Sequence, residues 1–255
     1  MTMLAVAKKA AREGGEILSH YFLNPPPVKY KNRAKTDLVT RADKESEKMI
    51  KKIILNHFPG HGFWGEETGQ FATDREYVWV VDPLDGTTNF TLHIPLFSVS
   101  IGLLQHGEPV LGVIYIPAVN ELIWAKKNQG AARNGKPIFV SKTNKLKDSI
   151  CCVEYWSRDT AHQKRGLADF SYYAQNTKKI RYLSSAAFEL CRVATGDLDF
   201  CILDTTFIDI AAAALIIKEA GGRCSGIQNP FRGEPSGPFR LIASNQNLHP
   251  TLTPH

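Results

Sequence analysis

Asp82, Pro83, Leu84 and Asp85 follow the apolar run Tyr77–Val81 and lead into Gly86, Thr87, Thr88 and Asn89. Two carboxylates flanking a Pro-Leu pair, with the Leu84 carbonyl between them, put three oxygen donors on one tight bend. Oxygen is the donor that a hard cation such as Mg²⁺ prefers. Gly86 permits close approach of the backbone, and two threonines and an asparagine suit the start of a helix. Free amide N–H groups at such a start favour phosphate, so cation and phosphate would meet on one loop. The same residues also read as a plain turn between strands, because Asp, Pro and Gly dominate turns for conformational reasons.

Other carboxylates bear on the choice. Glu66 and Glu67 sit in the glycine-punctuated stretch Gly62–Gly69, which reads as a turn, and Asp209 stands at the first turn of an otherwise apolar helix. Each has an ordinary alternative: surface solvation for the glutamates, and for Asp209 a favourable charge on the helix dipole of about 0.3–1 kcal/mol. Zinc chemistry finds no local pattern. There is no C-x-x-C pair, and His57 and His61 are separated by Pro59-Gly60, which denies them a shared helical face. The five cysteines, two of them adjacent at Cys151-Cys152, make a poor disulfide framework and point to a reducing, cytoplasmic setting.

The elements that must hold these groups are legible in outline. An amphipathic helix opens the chain, with Leu4, Ala7, Ala11, Ile17 and Leu18 at helical spacing, and no secretory leader is apparent. A second helix carries the stripe Met49, Ile50, Ile53 and Ile54 up to Pro59-Gly60. Between them Pro25-Pro26-Pro27 forbid a helix, and Val28–Tyr30 can begin a strand. Tyr77–Val81 is a strand ending at Asp82, where Pro83 turns the chain. Residues 96–138 alternate β-rich runs with turn pairs at His106-Gly107 and Asn134-Gly135, which predicts an antiparallel sheet. From about residue 148 shorter strands alternate with helices, the last of which, Asp209–Ala220, stops at Gly221-Gly222. The division is thus an N-terminal α+β half, 1–147, and a C-terminal α/β half, 148–255, packed as one unit.

No apolar run approaches the roughly 20 residues of a membrane span. The net charge of +6 favours anionic partners. Basic clusters at Ser141–Lys147 and Lys178–Arg181 lack the interleaved aromatics of a single-strand nucleic-acid surface and read as solvated loops.

Taken in order, Gly65-Glu66-Glu67, the segment Trp79–Phe90 and the segment Ile208–Gly222 resemble the inositol monophosphatase family of Mg²⁺-dependent, lithium-sensitive phosphomonoesterases. The likeness extends to Asp37–Asp43 upstream and Arg181–Leu190 downstream. It implies a layered αβαβα sandwich of the inositol monophosphatase and fructose bisphosphatase type, a homodimer, and two Mg²⁺ ions with a third, weaker one near Glu66. By that resemblance Glu66, Asp82 and the Leu84 carbonyl hold the first Mg²⁺, and Asp82, Asp85 and Asp209 the second. Glu66 and Thr87 would position the attacking water, and Asp43 would hydrogen-bond the threonine. Asp85, the Gly86 and Thr87 amides, Ser185 and Ala186 would face the phosphate ester, and the cysteines and histidines would have no catalytic role.

Departures from the family pattern concern the substrate. Ile202 stands seven residues before Asp209, where inositol-specific members carry a hydroxyl-binding glutamate; Ile208 replaces the usual tryptophan, and Ser184 a glycine. Isoleucine accepts no hydrogen bond from a hydroxyl. Inositol monophosphate is the first expectation, fructose 1,6-bisphosphate the rival substrate, and an RNA- or protein-binding adapter with incidental phosphatase activity the rival of another class.

Overall fold

The computed structural model describes residues 1–24, 29–30, 38–39, 41–154 and 160–253. Pro25–Pro27 and Val28 lie outside them. Two helices open the chain, α1 (Met3–Leu23) and α2 (Arg41–His57), with a two-residue strand pair β1 (Lys29–Tyr30) and β2 (Leu38–Val39) between them. Their apolar stripes are buried at Ala7, Ala11, Leu18, Ile50 and Ile54.

Strands β3 (Gly62–Gly65), β4 (Gly69–Phe71) and β5 (Tyr77–Asp85) come next. The short helix α3 (Thr87–Thr91) then leads to the meander β6 (Ser98–Gln105), β7 (Glu108–Ile116), β8 (Glu121–Lys126), β9 (Ala131–Arg133) and β10 (Lys136–Pro137). They form an eight-stranded sheet in the order β10-β9-β8-β7-β6-β5-β3-β4. Every pairing is antiparallel except β3 with β5. The stretch read as a turn is therefore half strand. Phe63 at 0% exposure and Trp64 go to opposite faces of the sheet, and the turn shrinks to Glu66–Thr68.

The second half runs β11 (Ile150–Val153), α4 (Thr160–Asn176), β12 (Lys179–Arg181), α5 (Ala186–Ala194), β13 (Phe200–Thr205), α6 (Phe207–Glu219), β14 (Arg223–Ser225) and β15 (Phe239–Ser244). Its five-stranded sheet has the order β12-β11-β13-β15-β14, parallel from β12 to β13 and antiparallel beyond. Helix α4 has no counterpart in the sequence reading. Its inward positions are Gly166, Asp169 and Tyr173, so no aliphatic stripe marks it, and Asp169 is buried because Arg240 pairs with it at 2.5 Å.

The layers follow from which side chains share a core. One face of the large sheet, with Trp79, Val81, Val99 and Ile101, packs on α1 and α2. Its other face, with Val80, Ile114 and Ile123, packs on α5 and α6, which also cover Cys201, Leu203 and Leu241 of the small sheet. The small sheet's outer face, with Cys151, Val153, Phe200 and Ile202, meets Tyr173 of α4. The result is α1/α2, sheet, α5/α6, sheet, α4: an αβαβα sandwich.

Candidate active site

Strand β5 does not end at Asp82 but runs through Asp85, with its register against β6 slipping between Asp82, opposite Ser100, and Asp85, opposite Ser98. The irregularity falls at Pro83, which has no N–H for the ladder. Asp82 Oδ1 accepts the Leu84 N–H at 2.9 Å, which folds the bend over its own carboxylate. Asp82 is 2% and Asp85 7% exposed.

Asp85 Oδ2 draws donors from both halves of the chain: the Ser98 hydroxyl at 3.1 Å, the Ser185 hydroxyl, and the N–H groups of Ala187 at 3.1 Å and Phe188 at 3.4 Å. Ser185 is the N-cap of α5, so the carboxylate caps that helix from outside. Ala186 opens the same helix turn. Gly86 lies at φ +85°, and a Cβ there would stand 2.7 Å from the Leu96 carbonyl oxygen, so both its backbone angle and its packing call for glycine.

Asp209 is the third residue of α6. Its Oδ2 accepts the Thr206 N–H at 2.8 Å and the hydroxyls of Thr205 and Thr206 at 3.0 Å each, which fixes the carboxylate at the helix start. Glu66 follows β3, and its N–H bonds the Val81 carbonyl at 3.1 Å, setting it beside Asp82, with which its side chain shares a hydrogen bond. The residue as a whole is exposed, yet its carboxyl stands within reach of Asp82, Asp85 and Asp209. Asp43 on α2 is 3% exposed and within electrostatic reach of Glu66 and Glu67. The Thr87 hydroxyl donates to the Leu84 carbonyl at 3.0 Å, so its proton goes to the expected metal donor rather than to Asp43.

Burial and mutual repulsion act on all of these acids. Burial first, then Asp209, pushes Glu66 up to about 7; burial pushes Asp85 up to about 7 against the pull of Ser185. Burial and then Glu66, Asp85, Asp209 and Asp43 hold Asp82 well above the usual range, and burial raises Asp209 against its Thr206 and Thr205 bonds. Burial followed by Glu66 does the same to Asp43. Among the described residues no three of these carboxylates offer oxygens within 4.8 Å of one another.

Several positioning residues carry no sequence signal of their own. Glu47, at 0% exposure, accepts the N–H groups of Glu67 and Thr68 at 2.8 Å each and anchors the turn that bears Glu66. Asn89 donates to the carbonyls of Leu96 at 3.0 Å and Leu183 at 2.6 Å, stitching the α3 loop to the turn before α5. Ser184 in that turn has φ +56°, the conformation for which the family's glycine is suited. Ile202 is wholly buried in the outer core with Phe200 and Tyr173, and Ile208 is 8% exposed in the interlayer core.

The family model described as "Inositol monophosphatase family" matches residues 1–255. A fructose-1,6-bisphosphatase/inositol-1-monophosphatase of Aquifex aeolicus is 37% identical over 247 residues, 96% of this chain and 92% of that one. The Nus factor SuhB of Pasteurella multocida is 34% identical over 86% of this chain and 84% of that one. The solved inositol monophosphatase of Anabaena (Nostoc) superposes with a TM-score of 0.84 at 34% identity, covering 97% of this chain and 92% of that one. With acids from β5, α6 and the β3 turn within electrostatic reach of one another and a match running the whole length, the chain belongs to the inositol monophosphatase family.

Proposed function

We propose that this phosphomonoesterase hydrolyses inositol monophosphate or a related sugar phosphate, and that Glu66, Asp82, Asp85, Asp209 and the Leu84 carbonyl hold Mg²⁺. The observation that carries the reading is electrostatic: the charges pressing on buried Asp82 are four other carboxylates. An all-oxygen, strongly anionic donor set fits a hard divalent cation, whose charge would relieve that repulsion and draw the oxygens together. When bound, Mg²⁺ supplies neutralisation of the phosphate dianion and a lowered pKa for water.

The chain's own residues divide the remaining work. Gly86 and Thr87 would hold phosphate oxygens with their amides, helped by the backbone's close approach at Gly86. Ser185 and the start of α5 aim Asp85 and oppose the burial that favours its protonation, while Ala186 would border the ester. Glu66 and Thr87 would orient the attacking water, with Asp43 behind them. No covalent phospho-enzyme is required.

A panel of phosphate esters, inositol monophosphate and fructose 1,6-bisphosphate among them, assayed with and without Mg²⁺ tests the reading. Turnover independent of Mg²⁺, or unchanged in Asp82→Ala, overturns it; kcat/KM ranks the two substrates. The fructose bisphosphate rival has support in the Aquifex relative's name. We further propose a cytoplasmic homodimer inhibited by Li⁺, to be checked by light scattering and inhibition assays.

A second reading, nucleic-acid engagement, is favoured by the match to a Nus factor and by the charge of +6. Salt-dependent RNA binding that survives Asp82→Asn would support it; its absence would dismiss it.

A further inference from the structure

Behind the α5 turn lies a side-chain group that the phosphatase reading leaves unused. Cys152 on β11 and Cys201 on β13 stand directly opposite one another in the parallel pairing, both facing the interlayer core. Glu189 on α5 faces them. One ligand atom from each of the three lies within 4.8 Å of the other two, and all three residues are 0% exposed. They are the one group of three such ligands that close among the described residues, the acids of the active-site cleft being more widely spread.

Glu189 is the informative member. Its Oε1 accepts the Leu183 N–H at 2.9 Å, while Oε2 is buried and receives no N–H or hydroxyl donor. The Glu154 carboxyl presses on it from within hydrogen-bond reach, so without a cation the two acids share a proton. A buried carboxyl oxygen that meets only a second acid is costly in an apolar layer unless a cation or proton lies between them. The Cys201 thiol spends its weak donor on the Glu189 backbone carbonyl at 3.7 Å, with Cys152 opposite it on the neighbouring strand.

We propose that Cys152, Cys201 and Glu189 form a buried structural site for one Zn²⁺-class cation, separate from the Mg²⁺ cleft. Two sulfurs and one oxygen suit a borderline-soft ion and disfavour Mg²⁺. A fourth tetrahedral position falls to Glu154 or to a water. Binding releases the two thiol protons and the proton that Glu189 shares with Glu154, and the ion's charge takes that proton's place. The ligands come from β11, α5 and β13, so the site clamps the interlayer helix to the small sheet. Its closure implies loading during folding rather than by diffusion into the finished protein.

The test is cobalt substitution of the full chain, expressed in Co²⁺-supplemented medium and then treated with EDTA and excess Mg²⁺. The expected result is one retained cobalt per chain with a sulfur-to-cobalt charge-transfer band. That band persists in Asp82→Asn and disappears in Cys152→Ala and in Cys201→Ala. Absence of retained metal, retained metal without a sulfur band, or a band unchanged in both cysteine variants overturns the proposal. Should the core variants fail to fold, X-ray absorption on the wild-type cobalt protein decides: two sulfur scatterers support the site, and none sinks it. Because the cleft offers only oxygen ligands, these outcomes do not depend on the phosphatase assignment.

Discussion

Asp85 and Asp82 are both buried acids, but they are held differently. Asp85 gathers hydroxyl and amide donors on one oxygen, whereas Asp82 has the Leu84 N–H and the bond shared with Glu66 and is otherwise pressed by like charges. Neutralising Asp82 should therefore remove function and ease the fold at once. Asp82→Asn is expected to lose turnover while the metal-free protein melts at a higher temperature than wild type; a lower melting temperature would contradict the repulsion argument. Ser185→Ala leaves every cleft carboxylate in place but withdraws a donor from Asp85, and about a 10–100-fold loss in Mg²⁺ affinity or activity is expected by titration. The acids also predict a pH dependence. Glu66 and Asp85, raised to about 7, hold protons in the folded state that the unfolded chain has released, so the stability they contribute is full below about pH 4. It is lost as pH rises through about 7. Melting temperatures of EDTA-treated protein should fall across that window, and saturating Mg²⁺ should flatten the slope.

At the scale of elements, Glu47 shows what a one-dimensional reading misses. It lies in a helix whose apolar stripe is plain, and as a charged residue between lysines it reads as solvated; the fold instead turns it under the β3 turn, where its two oxygens take the Glu67 and Thr68 amides. Glu47→Ala should cost on the order of 1.5–3 kcal/mol in denaturant unfolding, as expected for bonds to a charged group. It should also weaken Mg²⁺ dependence by freeing the Glu66 turn. An unchanged Mg²⁺ titration in a destabilised variant would separate Glu47 from the site. Groups within a few residues of one another were legible: the bend from Asp82 to Thr87 could be read from residue types. Strands β6 to β9 were legible from alternation and turn pairs. Helix α4 was not, because its buried face is a glycine, an ion-paired aspartate and a tyrosine. Nor was the Cys152, Glu189 and Cys201 group, since its members share no local spacing and meet only when β11 and β13 pair under α5.

On the scale of the molecule, the eight-stranded sheet is built from residues 62–137 and the five-stranded sheet from residues 150–244. The packing argues against treating them as separable. Val80, Leu104, Ile114, Ile116 and Ile123 of the large sheet share one core with α5 and α6, which belong to the second half. Stripping those helices would expose five side chains, each worth roughly 1.5–3 kcal/mol when fully buried. The sum, roughly 8–15 kcal/mol, equals the whole stability of an ordinary domain, which is about 5–15 kcal/mol. The core against α1 and α2 is therefore not enough to hold residues 1–147 alone. A fragment of residues 1–147 should show no cooperative melt and should bind hydrophobic dyes, while the full chain unfolds in one transition seen alike by near- and far-ultraviolet circular dichroism. The same dependence explains why the cleft cannot be assembled by halves: Glu66, Asp82 and Asp85 come from one, Ser185 and Asp209 from the other, and Asp85 takes hydrogen bonds from both. A cooperatively folding fragment would mean that the interlayer helices are accessory to the large sheet, and Asp85 would then have to hold its position without α5.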